Sequence, residues 1–342
     1  MKKTIALGLA ALATTLTVGA ASAEGRIDEV RARGQLRCTA HNGSNPGFAQ
    51  LDSNGQWSGF DVDMCRVFAT ALFGTWEGHL ELVPISWAQR WTMLQSGELD
   101  VVIKQSGWTL SRDTELGFNV TRPYNVGTFQ LLVPKSLNVS SFKEMDGGTI
   151  CAPAGTTNER VVSAYAKNNN IKIELVSLEK WEELLAAYFE GRCDGYVGTA
   201  ASVAVSRMNA PNPDDHVILP DVFAVEGQSW FVKEGDDRFF DLANWALNTL
   251  WLAEQEGITS KNVDEFKANP PSPEVAVMLG ATPGAGARFG LPDDWAYNVI
   301  KVNGNYAEIW DRNIGKDSPF KLERGINALW KDGGVHYPVT FD

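Results

Sequence analysis

Histidine and cysteine are both scarce in this chain, four of each among 342 residues. His41, His79, His216 and His336 are scattered, and Cys38, Cys65, Cys151 and Cys193 contain no CxxC pair. Zinc needs a tighter cluster of such ligands, so no metal site is expected. The sequence also lacks a GxSxG elbow and a close histidine–acid pair, the usual equipment of nucleophilic catalysis. No cofactor is expected: the glycine-rich GAGARFG ending at Gly290 follows no strand and has the wrong spacing for a dinucleotide loop. Positive charge is in deficit, 30 Lys and Arg against 42 Asp and Glu. An acidic surface argues against nucleic acid and anionic lipid as partners. It does not argue against a small anion in a locally basic pocket.

Long apolar runs are missing beyond the N-terminus. The one near the start, Thr4 to Ala20, follows Met1-Lys2-Lys3 and ends in Ala21-Ser22-Ala23. It is shorter than the roughly 20 residues of a membrane span and meets the small-x-small cleavage pattern. Residues 1–23 are therefore read as a signal peptide cleaved near Ala23, and the mature chain as exported and periplasmic. Removing Lys2 and Lys3 moves the formal charge from −12 to −14. In an oxidising compartment the even set of cysteines predicts disulfides. Three pairings are open; Cys38–Cys65 with Cys151–Cys193 is preferred because each bridge stays within one half of the chain.

Apolar strands alternating with amphipathic helices predict an α/β protein. Gln35–Ala40 reads as a strand, Asp61–Phe73 as a helix, Leu80–Ile85 as a strand, Ala88–Ser96 as a helix and Asp100–Ile103 as a strand. A second series starts near Asp146: strand, glycine turn and helix in GTICAPAGTTNERVVSAYAK, strand in KIELVSL, helix in KWEELLAAYFEGR, strand in CDGYVG. About 319 residues remain after cleavage, more than one core usually carries. The extended segments Thr128–Ser136 and Val225–Asp237 are either sheet strands or crossings between two lobes. Pro271–Gly290, rich in Pro, Gly and Ala, reads as an irregular surface segment.

Ordered motifs then carry a resemblance. They are GFDVDMCRVFATAL from Gly59, RWTMLQSGELDVV from Arg90, WTLSRDTELGFNVT from Trp108, GTTNE from Gly155 and GRCDGYV from Gly191. Nearer the C-terminus come DDWAYNVIK, NYAEIWDRNIG and RGINALWKDGGVHYP. Together the sequence resembles the periplasmic solute-binding proteins of polar amino acid ABC transporters, in their general L-amino-acid-binding branch. Phe68 departs from the usual smaller aliphatic. The resemblance implies a two-lobed periplasmic binding protein fold of type II, with two hinge strands and the ligand cleft between the lobes. It implies residues 24–130 and 231–342 as lobe 1 and 131–230 as lobe 2. It further implies a small organic anion as ligand, an ABC permease as partner and a monomer.

The same resemblance assigns Arg112 to the ligand's α-carboxylate, where a planar guanidinium forms two parallel hydrogen bonds. Its neighbours Gln105, Gly107 and Thr109 belong to the loop that supplies other carboxylate donors; relatives usually carry Ser or Thr where Gly107 stands. Thr156 and Thr157 open a helix whose N-terminal N–H groups favour an anion, or serve it only as caps. Trp87 and Trp108, with Phe48, are candidate wall residues. Arg90 reaches a distal acid or braces the cleft, and His41 lies in a loop facing the ligand. Amino-acid binders place an aspartate for the α-ammonium where this chain has Thr199, and Asp194 is only the ordinary acid at a strand start. Either Glu226 compensates or the ligand lacks an α-ammonium, the latter being preferred. The function expected is a transport receptor, not an enzyme. The alternatives are a dehydratase or lyase on the same scaffold, with Glu226 or His41 as its thin catalytic candidates, and a sensor feeding a signalling receptor.

Overall fold

Parallel pairing of β1 (Leu36–His41) with β4 (Leu80–Ile85) sets the first layer, in the register Leu36↔Leu80 to His41↔Ile85. The computed structural model describes residues 25–342, so the expected signal peptide and its cleavage site lie outside the described residues. Helix α1 (Arg26–Arg33) precedes β1, and a small hairpin of β2 (Gln50–Leu51) and β3 (Trp57–Ser58) leads to α2 (Phe60–Phe73). Gly59 (φ +130°) is required there, because a Cβ would fall 2.2 Å from the Phe48 carbonyl oxygen. The buried side of α2 then packs Phe60, Met64, Val67 and Phe68 into the first core.

Helices α3 (Gln89–Ser96) and α4 (Leu110–Thr114) and strand β5 (Phe118–Val120) follow. Residues Asp100–Ile103, expected as a strand, make only single bridges, Val101 to Cys38 and Val102 to Phe231. The regular ladder is interrupted because the buried Asp100 carboxylate accepts from the Arg37 N–H at 2.7 Å and pairs with Arg26 and Arg33.

The chain crosses to the second lobe along β6 (Asn125–Pro134), which begins three residues before the expected crossing at Thr128. There β7 (Gly148–Pro153), α5 (Thr157–Asn168), β8 (Ile173–Leu178), α6 (Trp181–Phe189), β9 (Gly195–Thr199), α7 (Ala200–Met208) and β10 (His216–Ile218) alternate as the periodicity predicts. The sheet order is β10-β6-β9-β7-β8, with β7 parallel to both β8 and β9. Strand β11 (Val225–Gln228) returns antiparallel to the start of β6, and β12 (Phe231–Lys233) pairs with β5. Thus β6 is paired with β11 over Asn125–Thr128 and with β9 over Phe129–Leu132, which makes it a connector shared by both bodies.

Helix α8 (Asp237–Gln255), capped by Asp236 through the Phe239 N–H, fills the first core with Leu242, Leu247, Leu250 and Trp251. After it come α9 (Val263–Ala268), α10 (Pro273–Met278), α11 (Trp295–Asn303) and α12 (Tyr306–Asn313). Helix α10 corrects the expectation of an irregular Pro271–Gly290: Ser272 caps it and Pro273 occupies its first turn, where proline loses no helical hydrogen bond. Bridges Cys38–Cys65 and Cys151–Cys193 tie β1 to α2 and β7 to the turn before β9. Among the described residues no helix is long and apolar enough to cross a membrane.

Candidate ligand-binding cleft

Parallel strands aim their carboxyl ends, and the N-termini of the helices after them, at one edge of an α/β layer. Here both lobes turn that edge toward the same cleft. The first lobe contributes Trp87 and Arg90 around the start of α3, Gln105 from the loop after Val102, and Arg112 from α4. Pro153, Thr156, Thr157 and Asn158 come from the β7–α5 turn, Trp181 from the first turn of α6, and Tyr196, Thr199 and Ser202 from β9 and α7. Strand β11 adds Glu226 and Gln228. The cleft is shut: the remaining cavity is about 20 Å3, room for roughly one water. Across it the Arg90 Nη2 donates to the Gly155 carbonyl at 3.4 Å, and the Trp87 and Trp181 rings stand 6.4 Å apart.

Its first wall is densely charged. Arg90 is 1% exposed, and its Nε and Nη1 have no hydrogen-bond partner among the described residues. Arg112 donates from Nη1 to the Gly107 carbonyl at 2.7 Å, and both guanidiniums lie against Trp91, at 4.4 and 4.9 Å from its ring centre. Burial pushes the Arg90 guanidinium down from its ordinary value, the charge of Arg112 pushes it further, and Glu226 opposes both. Arginine keeps its proton regardless, so the tension is a standing demand for an anion. Lys104 adds a third buried cation, donating to the Ala40 carbonyl at 3.4 Å and lying 4.9 Å from the Trp87 ring centre. Burial, then Arg90, lowers its ammonium well below the usual range while Asp61 pulls the other way.

Glu226 is the acid of the cleft. It is 8% exposed, and its Oε1 lacks a hydrogen-bond partner among the described residues. Burial raises its carboxyl, against the pull of the Thr157 hydroxyl and of Arg112, Arg90 and Arg160. The second wall is neutral. Thr156 spends its hydroxyl as the α5 cap, accepting from the Asn158 N–H at 3.2 Å and donating to the Pro153 carbonyl at 2.7 Å. The buried Thr199 hydroxyl, the Asn158 amide oxygen, the Trp181 indole N–H and the Gln105 amide nitrogen have no partner among the described residues. Orphaned buried polar atoms are uncommon, and so many converging on one closed cleft mark a site for a polar ligand.

Arg112, Arg90, Gln105, Trp87, Thr156, Thr157 and Thr199 are thus brought together. Five other candidates are not in the lining. Trp108 is 48% exposed and donates from its indole to Asp113 at 3.1 Å, so it points away from the cleft. Phe48 is spent in the first core, and Thr109 caps α4 through the Arg112 N–H. His41 is buried behind Trp87, edge-on at 5.1 Å, with Nε2 3.9 Å from the Asp61 carboxylate. Gly107 contributes its carbonyl to Arg112 rather than a lining surface. The sequence does not mark Trp181, Tyr196, Ser202 and Gln228 as lining residues; Asn158, next to the glycine turn, carries the one local signal.

The family description "Bacterial extracellular solute-binding proteins, family 3" matches residues 38–261. This chain belongs to that family. The solute-binding protein is 43% identical over 329 residues to the general L-amino acid-binding periplasmic protein AapJ of Rhizobium johnstonii, covering 95% of each chain. It is 40% identical over 344 residues to the glutamate/glutamine/aspartate/asparagine-binding protein BztA of Rhodobacter capsulatus, covering all of both. Among solved structures, a Brucella ovis ABC transporter periplasmic binding protein with glutathione bound is 39% identical, with a TM-score of 0.87 over 92% of this chain and 98% of that one. The two-lobed fold with a cleft between its lobes is therefore the fold of this family-3 solute-binding protein.

Proposed function

We propose that this protein is the periplasmic receptor of an amino-acid-type ABC importer, closing on an amino acid or a similar small carboxylate and presenting it to the permease. The observation that carries the reading is the pair Arg90 and Arg112: one buried and one half-buried guanidinium beside one shut cleft, with unpartnered donor atoms on Arg90. Holding two cations this way, one of them fully buried, is costly unless an anion completes them. Arg112 holds the ligand's α-carboxylate, the N–H groups at the start of α5 and the Thr157 hydroxyl approach it from the second lobe, and Gln105 and Thr199 supply further polar contacts. Trp87 and Trp181 close over the body of the ligand. Lobe 1 comprises residues 24–130 and 231–342 and lobe 2 residues 131–230, so that β6 and β11 form the hinge. The chain works as a secreted monomer, its signal peptide removed near Ala23.

Amino-acid recognition in AapJ and BztA, similar along nearly the whole chain, supports this ligand class. Binding rather than turnover is favoured because the lining has a single acid, Glu226, and no histidine. The test is a thermal-shift screen of the mature protein against the twenty L-amino acids, keto acids and simple carboxylates, followed by calorimetry. Stabilisation by amino acids that are recovered unchanged supports a receptor. Consumption of the stabilising compound would instead establish an enzyme.

A further inference from the structure

Two positions, Thr199 and Gly107, depart from what the resemblance implies, and the Glu226 carboxyl group shares the cleft lining with the first and abuts the second. Strand β9 ends at Thr199, neutral and buried, so no carboxylate stands at that end of the second wall. At Gly107 a Cβ would fall 1.8 Å from Glu226 Oε1 and 2.0 Å from its carboxyl carbon. Any side chain at 107 would collide with the Glu226 carboxyl group where it now lies. The missing hydroxyl at 107 and the acid at 226 are two sides of one packing arrangement.

We propose that Glu226 accepts the α-ammonium of the ligand in place of an acid at Thr199, and that Gly107 is the vacancy through which its carboxylate reaches. This deepens the reading of the cleft as an amino-acid site and rests on it. Gly107 is bordered on one side by the Glu226 carboxylate and on the other by Arg112, whose Nη1 is hydrogen-bonded to the Gly107 carbonyl. An acceptor and a cation flanking a single residue match the two charges that an amino acid carries on one carbon. Glu226 has an unpartnered buried acceptor, Oε1, and the Arg90 guanidinium has unpartnered donors, Nε and Nη1. A ligand that fills both must bring an ammonium as well as a carboxylate. A carboxylate without an amine would leave Oε1 orphaned and set a second negative charge beside it, the situation that makes hydrogen-bonding sites reject incomplete analogues. The position of the acid also matters. Glu226 sits on β11, opposite Gly127 of β6, so ammonium recognition is built into the crossing strands.

The experiment is calorimetric titration of the mature protein with L-glutamate against glutarate and with L-leucine against 4-methylpentanoate. The wild type is expected to bind at least one of the amino acids roughly 100-fold more tightly than its amine-free counterpart, the scale of a buried charge partner. Glu226→Gln is expected to remove most of that ratio by weakening the amino acid while leaving the amine-free acid within about threefold, which also shows that the variant is folded. Gly107→Ser, which displaces the Glu226 carboxylate, is expected to act in the same direction. Adding Thr199→Asp to Glu226→Gln is expected to restore part of it. An unchanged ratio in Glu226→Gln overturns the inference. Wild-type binding that depends on Arg112 but ignores the amine overturns this inference alone. Failure to bind any small carboxylate or amino acid overturns the receptor reading with it.

Discussion

The two walls of the cleft solve different problems. The first lobe carries the buried Arg90 and Lys104 and the half-buried Arg112 on a frame of rings and backbone carbonyls. The second lobe brings neutral hydroxyls, a helix start and Trp181, and part of that equipment is already occupied: the Thr156 hydroxyl caps α5. In the proposed reading charge recognition is preassembled on one side, and the other side completes it on closure. Preorganised charge costs nothing to arrange at the moment of binding, whereas a neutral wall can swing in and out of water without exposing a bare ion. That asymmetry predicts unequal effects of substitution.

The largest effect belongs to the first wall. Arg112→Lys keeps a positive charge but loses the planar fork proposed to hold a carboxylate by two bonds and the contact with the Gly107 carbonyl. Binding of the amino acid found in the screen is expected to fall about 100-fold or more, about 3 kcal/mol, with little change in melting temperature. Calorimetry checks this, and affinity within a few-fold of wild type would deny the first wall its leading role.

Behind that wall lies a titrating network that the second wall lacks. The Tyr124 hydroxyl donates to Asp61 at 2.5 Å and accepts from the Gln105 N–H at 3.2 Å, and His41 and Lys104 adjoin the same carboxylate. Burial lifts the Asp61 carboxyl from 3.8 to about 7, against the pull of Tyr124, Lys104 and the Gln105 N–H. Between those values the folded chain holds a proton that the unfolded chain has released. This contribution to stability therefore falls as pH rises through the window and levels off above about 7. Two units of that window, pH 5 to 7, amount to about 2.7 kcal/mol. Asp61→Asn removes the slope, so its stability relative to wild type is expected to improve by about 2–3 kcal/mol between pH 5 and 8 in urea titrations. A variant that keeps a constant offset from the wild type across this range would show that the carboxyl titrates normally.

Much of the first wall was legible in the sequence and much of the second was not, for a physical reason. Arg112 sits in a contiguous motif whose strand, turn and short helix are all local, so its placement follows from neighbours in the chain. The α5 start is local in the same way, a glycine turn followed by a capping threonine. Trp181, Tyr196 and Gln228 enter the cleft only because the hinge folds one lobe onto the other, and no periodicity records that. Loops carry no periodicity either, which is why Trp108 looks like a wall residue and is exposed, while His41 looks like a ligand contact and is buried behind Trp87. Asp100–Ile103 has the composition of a strand but spends its first residue on three arginine contacts. The Thr199 departure was visible from its motif alone. Its partner, the contact between Gly107 and Glu226, joins positions far apart in sequence and needed coordinates.

The second wall supplies the next smaller effect. The buried Thr157 hydroxyl is the side-chain donor that the proposed reading takes from this wall. Thr157→Val preserves shape and removes that hydroxyl. Affinity is expected to drop about fivefold, about 1 kcal/mol, without the pH dependence expected of Asp61→Asn. If Thr157→Val matched Arg112→Lys, the two walls would share the binding energy and the asymmetry would fail.

The smallest effect is expected at the mouth, where no ligand contact is involved. The exposed Glu182 carboxylate on α6 accepts a hydrogen bond from the Ser44 N–H in the loop after β1. Gly43 (φ +136°) leaves room for it, since a Cβ there would fall 2.1 Å from Glu182 Oε2. Glu182 therefore fastens the second lobe to the first without touching the lining. Glu182→Ala leaves both walls intact and weakens only the closed state, so it acts through the population of closed molecules. An exposed contact of this kind is worth little, and dissociation of the bound amino acid is expected to quicken about two- to threefold with the association rate unchanged. Stopped-flow measurement of both rates separates this from a change in the site. A slower association would place Glu182 on the ligand's entry path instead, and an effect as large as that of Thr157→Val would mean that closure, not contact, limits what the second wall contributes.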